Sequence, residues 1–132
     1  MSKQQKSRVR HTGLAIFGKE LVRRCSSHCE LCNAQGVKLA IFEVPPSPQS
    51  PDLDHCIMVC PECHTQLMKP RTMEANHWHC LATSMWSEVP AVKVTSLIVL
   101  HRLCETEHWA AELLEQAWLA PDEAQWLNDA RR

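Results

Sequence analysis

The sequence lacks long apolar runs and an export signal. It contains no stretch of about 18 consecutive apolar residues, which excludes a membrane-spanning helix of ordinary length. Its first residues lack the apolar core and the small-residue cleavage site of a signal peptide. We therefore expect a cytoplasmic protein without a membrane partner. With 132 residues, 45% of them hydrophobic, the chain can bury a core, either as one domain or as a small module with a helical extension.

The net charge of −1 is also small, but the charge is unevenly distributed. Residues 1–24 carry seven basic side chains and one acidic side chain, whereas residues 25–132 carry seven basic and fourteen acidic ones. A basic segment can bind phosphate groups or an acidic partner, or it can be a solvated surface. If the partner is nucleic acid, we expect Lys19, Arg23 and Arg24 to contact its phosphates.

Eight cysteines are the most informative feature of the chain. In a secreted protein they would indicate disulfides, but without an export signal they indicate metal binding and free thiols. Four of them form two C-x2-C motifs, a first knuckle at Cys29 and Cys32 and a second knuckle at Cys60 and Cys63. Two such turns side by side make a closed tetrahedral site of four thiolates, which is typical of structural zinc. We predict that these four cysteines bind one structural Zn²⁺.

Further potential ligands lie close to both knuckles. Cys25 and Cys56 each precede a knuckle by four residues, and His28 and His55 directly precede Cys29 and Cys56. We expect Cys25 to end a helix and Cys56 to lie on a short strand, and we interpret both as small buried residues. The alternative is that they bind a second zinc ion. The candidates for a second metal are Cys25, Cys56, His28, His55, His64, His77 and Cys80.

Hydrophobic periodicity divides the chain into three parts. Residues 1–25 form a basic arm and a helix near 13–25. Residues 26–69 form the zinc module. Residues 70–132 form a tryptophan-rich loop and a helical region that packs on the module.

The pattern of the middle part is typical of a zinc ribbon or a treble-clef-like unit. An apolar, β-branched run predicts a strand at 37–44, and a second short strand is predicted at 57–59. The prolines of 45–54 predict a loop that projects from the module. One helical turn is expected at 65–68.

The last part is predicted to be helical. Apolar residues at helical spacing predict helices at 88–104 and 106–119, followed by a short helix that begins at Pro121. We expect Trp78 and Trp86 to be sheltered between the zinc module and these helices, because indole buries a large area. Core positions are also expected for Trp109, Trp118 and Trp126. The predicted fold class is α+β, a small two-knuckle β module followed by a C-terminal helical bundle.

Several segments together resemble the PhnA-like family, which is named from an alkylphosphonate-uptake operon. They are Cys29-Glu30-Leu31-Cys32, Val44-Pro45, Cys60-Pro61-Glu62-Cys63 and, above all, residues 76–92 with the sequence NHWHCLATSMWSEVPAV. The resemblance covers about residues 14–127 and implies the proteobacterial type with a zinc-ribbon module at its N-terminus. It implies no defined biochemical role and no phosphonate chemistry. The sequence departs from the family pattern where Cys63 is followed by His64, and in its tail.

An HNH-type zinc nuclease is the enzymatic alternative. Such enzymes also fold two C-x2-C motifs around a hairpin, and their second motif ends in Cys-His. In this chain His64 follows Cys63 in the same way. Their chemistry requires a histidine base at the end of the first strand, beside a second metal ion. This chain has Phe-Glu-Val-Pro at 42–45, so no histidine stands at the end of the first strand. Glu43 would have to bind the cation, and Asp52 or Asp54 would have to replace the positioning asparagine.

We therefore expect a non-catalytic zinc-binding scaffold that acts as an interaction module for nucleic acid or for a protein partner. The degenerate or active HNH-type nuclease stays as the alternative. Neither the partner nor the oligomeric state follows from the sequence.

Overall fold

The computed structural model describes residues 13–132 and combines helices with one small sheet. The helices and strands are, in chain order, α1 (Gly18–Cys25), β1 (Ala40–Glu43), β2 (Cys56–Val59), α2 (Pro61–Met68), α3 (Leu81–Ser84), α4 (Pro90–Leu103), α5 (His108–Gln116) and α6 (Pro121–Ala130). Short 3-10 segments lie at Leu53–His55, Pro70–Thr72 and Ala75–Cys80. The expected α+β class is thereby confirmed. Residues 1–12 of the predicted basic arm lie outside the described residues.

The sheet consists of two antiparallel strands, and the second of them is buried on both faces. Successive side chains of a strand point to opposite faces. Cys56 and Met58 of β2 belong to one apolar cluster with Leu21 of α1, while Ile57 and Val59 belong to a larger cluster with the C-terminal helices. The sheet therefore lies between α1 and the helical region.

Helix α4 is the centre of the larger cluster. It begins with Pro90 in its first turn, where proline is tolerated, and it is buried around most of its circumference. Helices α5 and α6 both pack against α4. The same apolar cluster includes the buried cysteines of the knuckles and, from the tryptophan-rich segment, Trp78, Leu81 and Met85. One continuous core thus joins the two knuckles to the C-terminal helices.

Helix α2 is longer than the single turn predicted at 65–68. It begins directly within the second knuckle, because Cys60 is its N-cap and Pro61 fixes the first helical position. The helix predicted near 13–25 is interrupted: residues 13–15 are helical, a turn at 16–17 is closed by the hydrogen bond from the Phe17 N–H to the Leu14 carbonyl, and α1 follows from Gly18. It ends at Cys25, as predicted.

The expectation that all the tryptophans are sheltered is wrong for Trp86 and Trp118. Trp78 is fully buried, but the exposed fraction is 50% for Trp86 and 66% for Trp118. The ammonium group of Lys93 lies 5.0 Å from the centroid of the Trp118 ring, and this cation–π contact accounts for an indole at the surface.

The proline-rich loop at 45–54 is mostly exposed, but α6 holds both of its ends. The indole N–H of Trp126 donates to the Pro45 carbonyl over 2.9 Å, and the same indole stacks on His55 with ring centroids 4.4 Å apart. Within residues 13–132, no helix has the length and apolar character that crossing a membrane requires.

Candidate metal centre

Each knuckle folds so that its first sulfur accepts a hydrogen bond from the backbone of its second cysteine. The N–H of Cys32 donates to Cys29 Sγ, and the N–H of Cys63 donates to Cys60 Sγ, both over 3.4 Å. In the first knuckle the turn closes through Asn33, whose positive φ of 66° belongs to the left-handed region that asparagine tolerates. In the second knuckle the turn closes through the first residues of α2.

The two knuckles bring four sulfurs together. All four Sγ atoms lie within 4.8 Å of one another, with 3.8 Å between Cys29 and Cys63 and 3.5 Å between Cys32 and Cys60. Three of the four cysteines are buried, and Cys32 is half-buried. A tetrahedral ion with metal–sulfur bonds of about 2.3 Å requires sulfurs spaced roughly like these. The cluster can hold one metal ion, as predicted for these four residues.

The electrostatics of the cluster favour a bound cation. The hydrogen bond with Cys63 lowers the pKa of the Cys29 thiol to about 4, and the same bond together with burial raises the pKa of Cys63 far above its usual range. Burial raises the pKa of Cys32 to about 12. Four sulfurs this close cannot all be thiolates unless a cation compensates their charge, and a divalent ion supplies that compensation.

His77 lies against the cluster from outside. Its Nε2 atom is 3.1 Å from Cys63 Sγ. The ring also meets the Trp78 indole edge to face, with centroids 4.9 Å apart. His77 does not belong to the group of side chains that surround a common metal position, which contains the four cysteines alone within residues 13–132.

An ion pair fixes the first knuckle to β2 and α1. The Arg24 guanidinium donates two hydrogen bonds to the Glu30 carboxylate and one to the Cys56 carbonyl, each over 2.8 Å. Glu30 also accepts from the Met58 N–H over 2.8 Å, and its own N–H donates to the Met58 carbonyl over 2.9 Å. The hydrogen bond to Glu30 raises the pKa of Arg24. Arg24 therefore holds the knuckle in place.

A buried glutamine connects α2 to the tryptophan-rich segment. Gln66 Oε1 accepts from the Trp78 indole N–H over 2.7 Å and from the Glu74 backbone N–H over 2.9 Å. Its amide nitrogen donates to Glu62 over 2.7 Å. Because α2 also carries Cys63, Gln66 fixes the position of the segment that contains His77 relative to the cluster.

A cavity of about 540 Å³ opens beside the first knuckle. Cys29 and Cys32 contribute to its wall, as do Cys25 and Cys80. Burial raises the pKa of Cys80 to about 11 and also raises that of Cys25. These two thiols are therefore protonated at neutral pH, which makes them poor nucleophiles.

The residues considered for a second metal do not form a ligand group. Cys25, Cys56 and Cys80 each donate a thiol hydrogen bond to a backbone carbonyl three or four residues earlier. His28 is hydrogen-bonded to Gln35 over 2.9 Å. His55 stacks on Trp126, and His64 lies half-buried on α2.

Three residues that support the centre were not recognised in the sequence as having this role. The contacts of Glu30 with Met58 and of Gln66 with Trp78 give no local signal, since these partners lie 28 and 12 residues away. His77 was considered only as a ligand of a second metal. No sequence rule connects its segment to Cys63.

Comparisons of the chain with protein-family models, with curated proteins and with solved structures gave no significant match. The resemblance to the PhnA-like family therefore stays a prediction.

Proposed function

We propose that the protein is a zinc-binding scaffold in which Cys29, Cys32, Cys60 and Cys63 hold one structural Zn²⁺. The observation that carries this proposal is the convergence of four mostly buried cysteine sulfurs within 4.8 Å of one another. The four ligands complete a tetrahedral shell without an open position for a substrate, as in structural sites. The metal supplies charge compensation and a cross-link between the knuckles.

Zinc is the metal that we propose for this donor set. Four thiolates in a tetrahedron are typical of Zn²⁺ or of iron. In the reducing compartment that we expect for this chain, the cysteines stay available as thiolates. The binding of a structural zinc contributes on the order of 10 kcal/mol to the folding of a small module.

The scaffold's role, in this proposal, is to present the N-terminal helix to nucleic acid. Lys19 and Arg23 are exposed on α1 and line an open groove together with Gly18, Val22 and Met58. Their charges, with those of the basic residues before position 13, distinguish this end from the acidic remainder of the chain. Arg24 contributes indirectly, because its ion pair with Glu30 holds α1 against the metal module. A protein partner with an acidic surface is the alternative outcome.

The nuclease alternative gains no support from the contacts of its candidate residues. Asp52 caps the 3-10 segment by accepting the Asp54 N–H over 2.9 Å. Glu43 accepts a hydrogen bond from the Ser47 hydroxyl over 3.2 Å. Neither carboxylate belongs to a second metal-binding group within the described residues.

Binding and cleavage are separated by one set of experiments. The zinc-loaded protein is titrated into fluorescently labelled single- and double-stranded nucleic acid at several salt concentrations, with and without Mg²⁺, and the nucleic acid is then examined for cleavage. We expect binding that weakens steeply with salt, and no cleavage. The double variant Lys19→Glu/Arg23→Glu should reduce the slope of log affinity against log salt by about 1.8 for duplex DNA, if both residues contact phosphates.

The matched control is Lys69→Glu/Arg71→Glu, which makes the same charge change at two exposed residues near the end of α2. An equal effect of both double variants would refute a specific site on α1. Cleavage that depends on Mg²⁺ would replace the scaffold proposal by the nuclease. Failure to bind nucleic acid would leave the acidic protein partner as the alternative.

A further inference from the structure

The four sulfurs of the centre differ in the hydrogen bonds that they accept. Cys29 and Cys60, the first cysteine of each knuckle, accept a backbone N–H from the second cysteine. Within residues 13–132, the Ala34 backbone N–H bonds to Cys32 Sγ, whereas no backbone N–H donates to Cys63 Sγ. Cys63 therefore needs a donor from a side chain or from solvent.

Water can reach Cys32 but not Cys63. Cys32 is half-buried and lines the cavity beside the first knuckle. Cys63 has an exposed fraction of 0%. A buried thiolate without a donor carries the full cost of its lost hydration, so a polar group beside Cys63 has a large effect.

We infer that His77 is a positioning residue of the metal centre, whose Nε2–H donates a hydrogen bond to the metal-bound thiolate of Cys63. The N–S distance of 3.1 Å places the ring at hydrogen-bond range. A metal-bound thiolate is an acceptor only, which assigns the proton to Nε2. The inference rests on the proposed metal site and adds to it a residue outside the ligand shell.

The surrounding contacts hold the ring in this position. The backbone N–H of His77 donates to the Glu74 carbonyl over 3.0 Å, and the Trp78 indole meets the His77 ring edge to face. Gln66 anchors Trp78 to α2, the helix that carries Cys63. Such outer hydrogen bonds fix a ligand and reduce the charge on its donor atom, and their loss typically costs 10-fold to 100-fold in metal affinity.

The test uses the full chain loaded with Co²⁺, whose sulfur-to-metal charge-transfer band reports on the thiolates. In His77→Phe we expect this band to move to longer wavelength, because a thiolate without its donor gives up electron density more easily. We also expect metal affinity, measured by chelator competition, to fall about 10-fold or more. His77→Gln, whose amide nitrogen can donate from a similar position, should restore most of the affinity and the band position.

The control variant is His79→Phe, two residues along the same 3-10 segment. His79 is exposed and stacks on Trp109, with centroids 4.2 Å apart, so a phenyl ring can replace it. It should leave the spectrum and the affinity unchanged. An unchanged band in His77→Phe, or an equal shift in His79→Phe, would overturn the inference.

A second measurement needs no variant and therefore does not depend on the variants folding. In protein loaded with ¹¹³Cd and labelled with ¹⁵N in histidine, a hydrogen bond to Cys63 predicts a protonated Nε2 on His77. It also predicts a small scalar coupling between that proton and cadmium. An unprotonated Nε2 coupled directly to cadmium would make His77 a ligand and overturn the inference. A wild-type protein that binds neither Co²⁺ nor Cd²⁺ would instead refute the metal site itself.

Discussion

The buried amide of Gln66 gives a sharp prediction, because one side chain connects α2 to the tryptophan-rich segment. The substitution Gln66→Leu keeps most of the volume but removes three hydrogen bonds. It leaves the indole N–H of Trp78, a fully buried residue, without its acceptor. The substitution therefore affects the free energy of unfolding through loss of polar contacts more than through loss of packing.

The magnitude follows from the environment of each partner. A buried donor that loses its acceptor costs about 1–3 kcal/mol, which applies to the Trp78 indole. The backbone N–H of Glu74 and the carboxylate of Glu62 belong to exposed residues and can be rehydrated, so each lost bond costs about 0.5–1.5 kcal/mol. The expected total is about 2–6 kcal/mol, a large part of the stability of a domain of this size.

The assay is urea unfolding of the metal-loaded protein, followed by far-ultraviolet circular dichroism. Gln125→Leu is the control, since Gln125 is exposed on α6 and its amide bonds only to Asp129. It should change the free energy of unfolding by less than about 0.5 kcal/mol.

A double-mutant cycle with Trp78→Phe isolates the indole–amide bond. When both polar partners of Gln66 and Trp78 are replaced by apolar groups, no donor remains unsatisfied at this contact. The double variant should therefore be more stable than the sum of the single effects predicts, with a coupling of about 1 kcal/mol or more. A coupling near zero would refute the reasoning.

Two further predictions concern charged groups. Arg24→Met should destabilise the protein by about 2 kcal/mol, because it leaves the nearly buried Glu30 carboxylate without its partner. Adding Glu30→Gln to the same chain should restore part of the lost stability. An unchanged midpoint of urea unfolding in Arg24→Met would contradict this role. Burial and the charge of Arg131 lower the pKa of His101 in the folded protein. The unfolded chain therefore binds a proton at His101 more tightly than the folded protein does. Stability is consequently lost as the pH falls through the ordinary histidine range. His101→Gln should therefore gain stability relative to the wild type between about pH 7 and pH 5, and a difference independent of pH would contradict the assignment.

The sequence predicts best those features that depend on neighbouring residues. The two C-x2-C motifs define their own turns, so the cluster of Cys29, Cys32, Cys60 and Cys63 could be proposed from spacing alone. The order of helices and strands follows from hydrophobic periodicity and from the prolines at positions 90 and 121. The early start of α2 could also have been predicted, because Cys60 and Pro61 form a helix N-terminus signal.

The contacts that support the centre depend on how distant segments meet. Gln66 reaches Trp78 only because the 3-10 segment Ala75–Cys80 returns to α2. His77 lies fourteen residues after Cys63, and nothing in the local sequence fixes that approach. Lys93 is a similar case, since its contact with Trp118 joins residues that are 25 positions apart.

The most direct test of the account is the metal content of the purified protein, measured by elemental mass spectrometry in the wild type, in Cys60→Ser and in Cys104→Ser. Cys104 is half-buried and donates only to the His101 carbonyl, so its replacement should leave the metal in place. The account predicts one zinc per chain in the wild type and in Cys104→Ser, and no zinc in Cys60→Ser. A wild-type protein that carries no metal after purification under reducing conditions, and that takes up none when zinc is added, would contradict it.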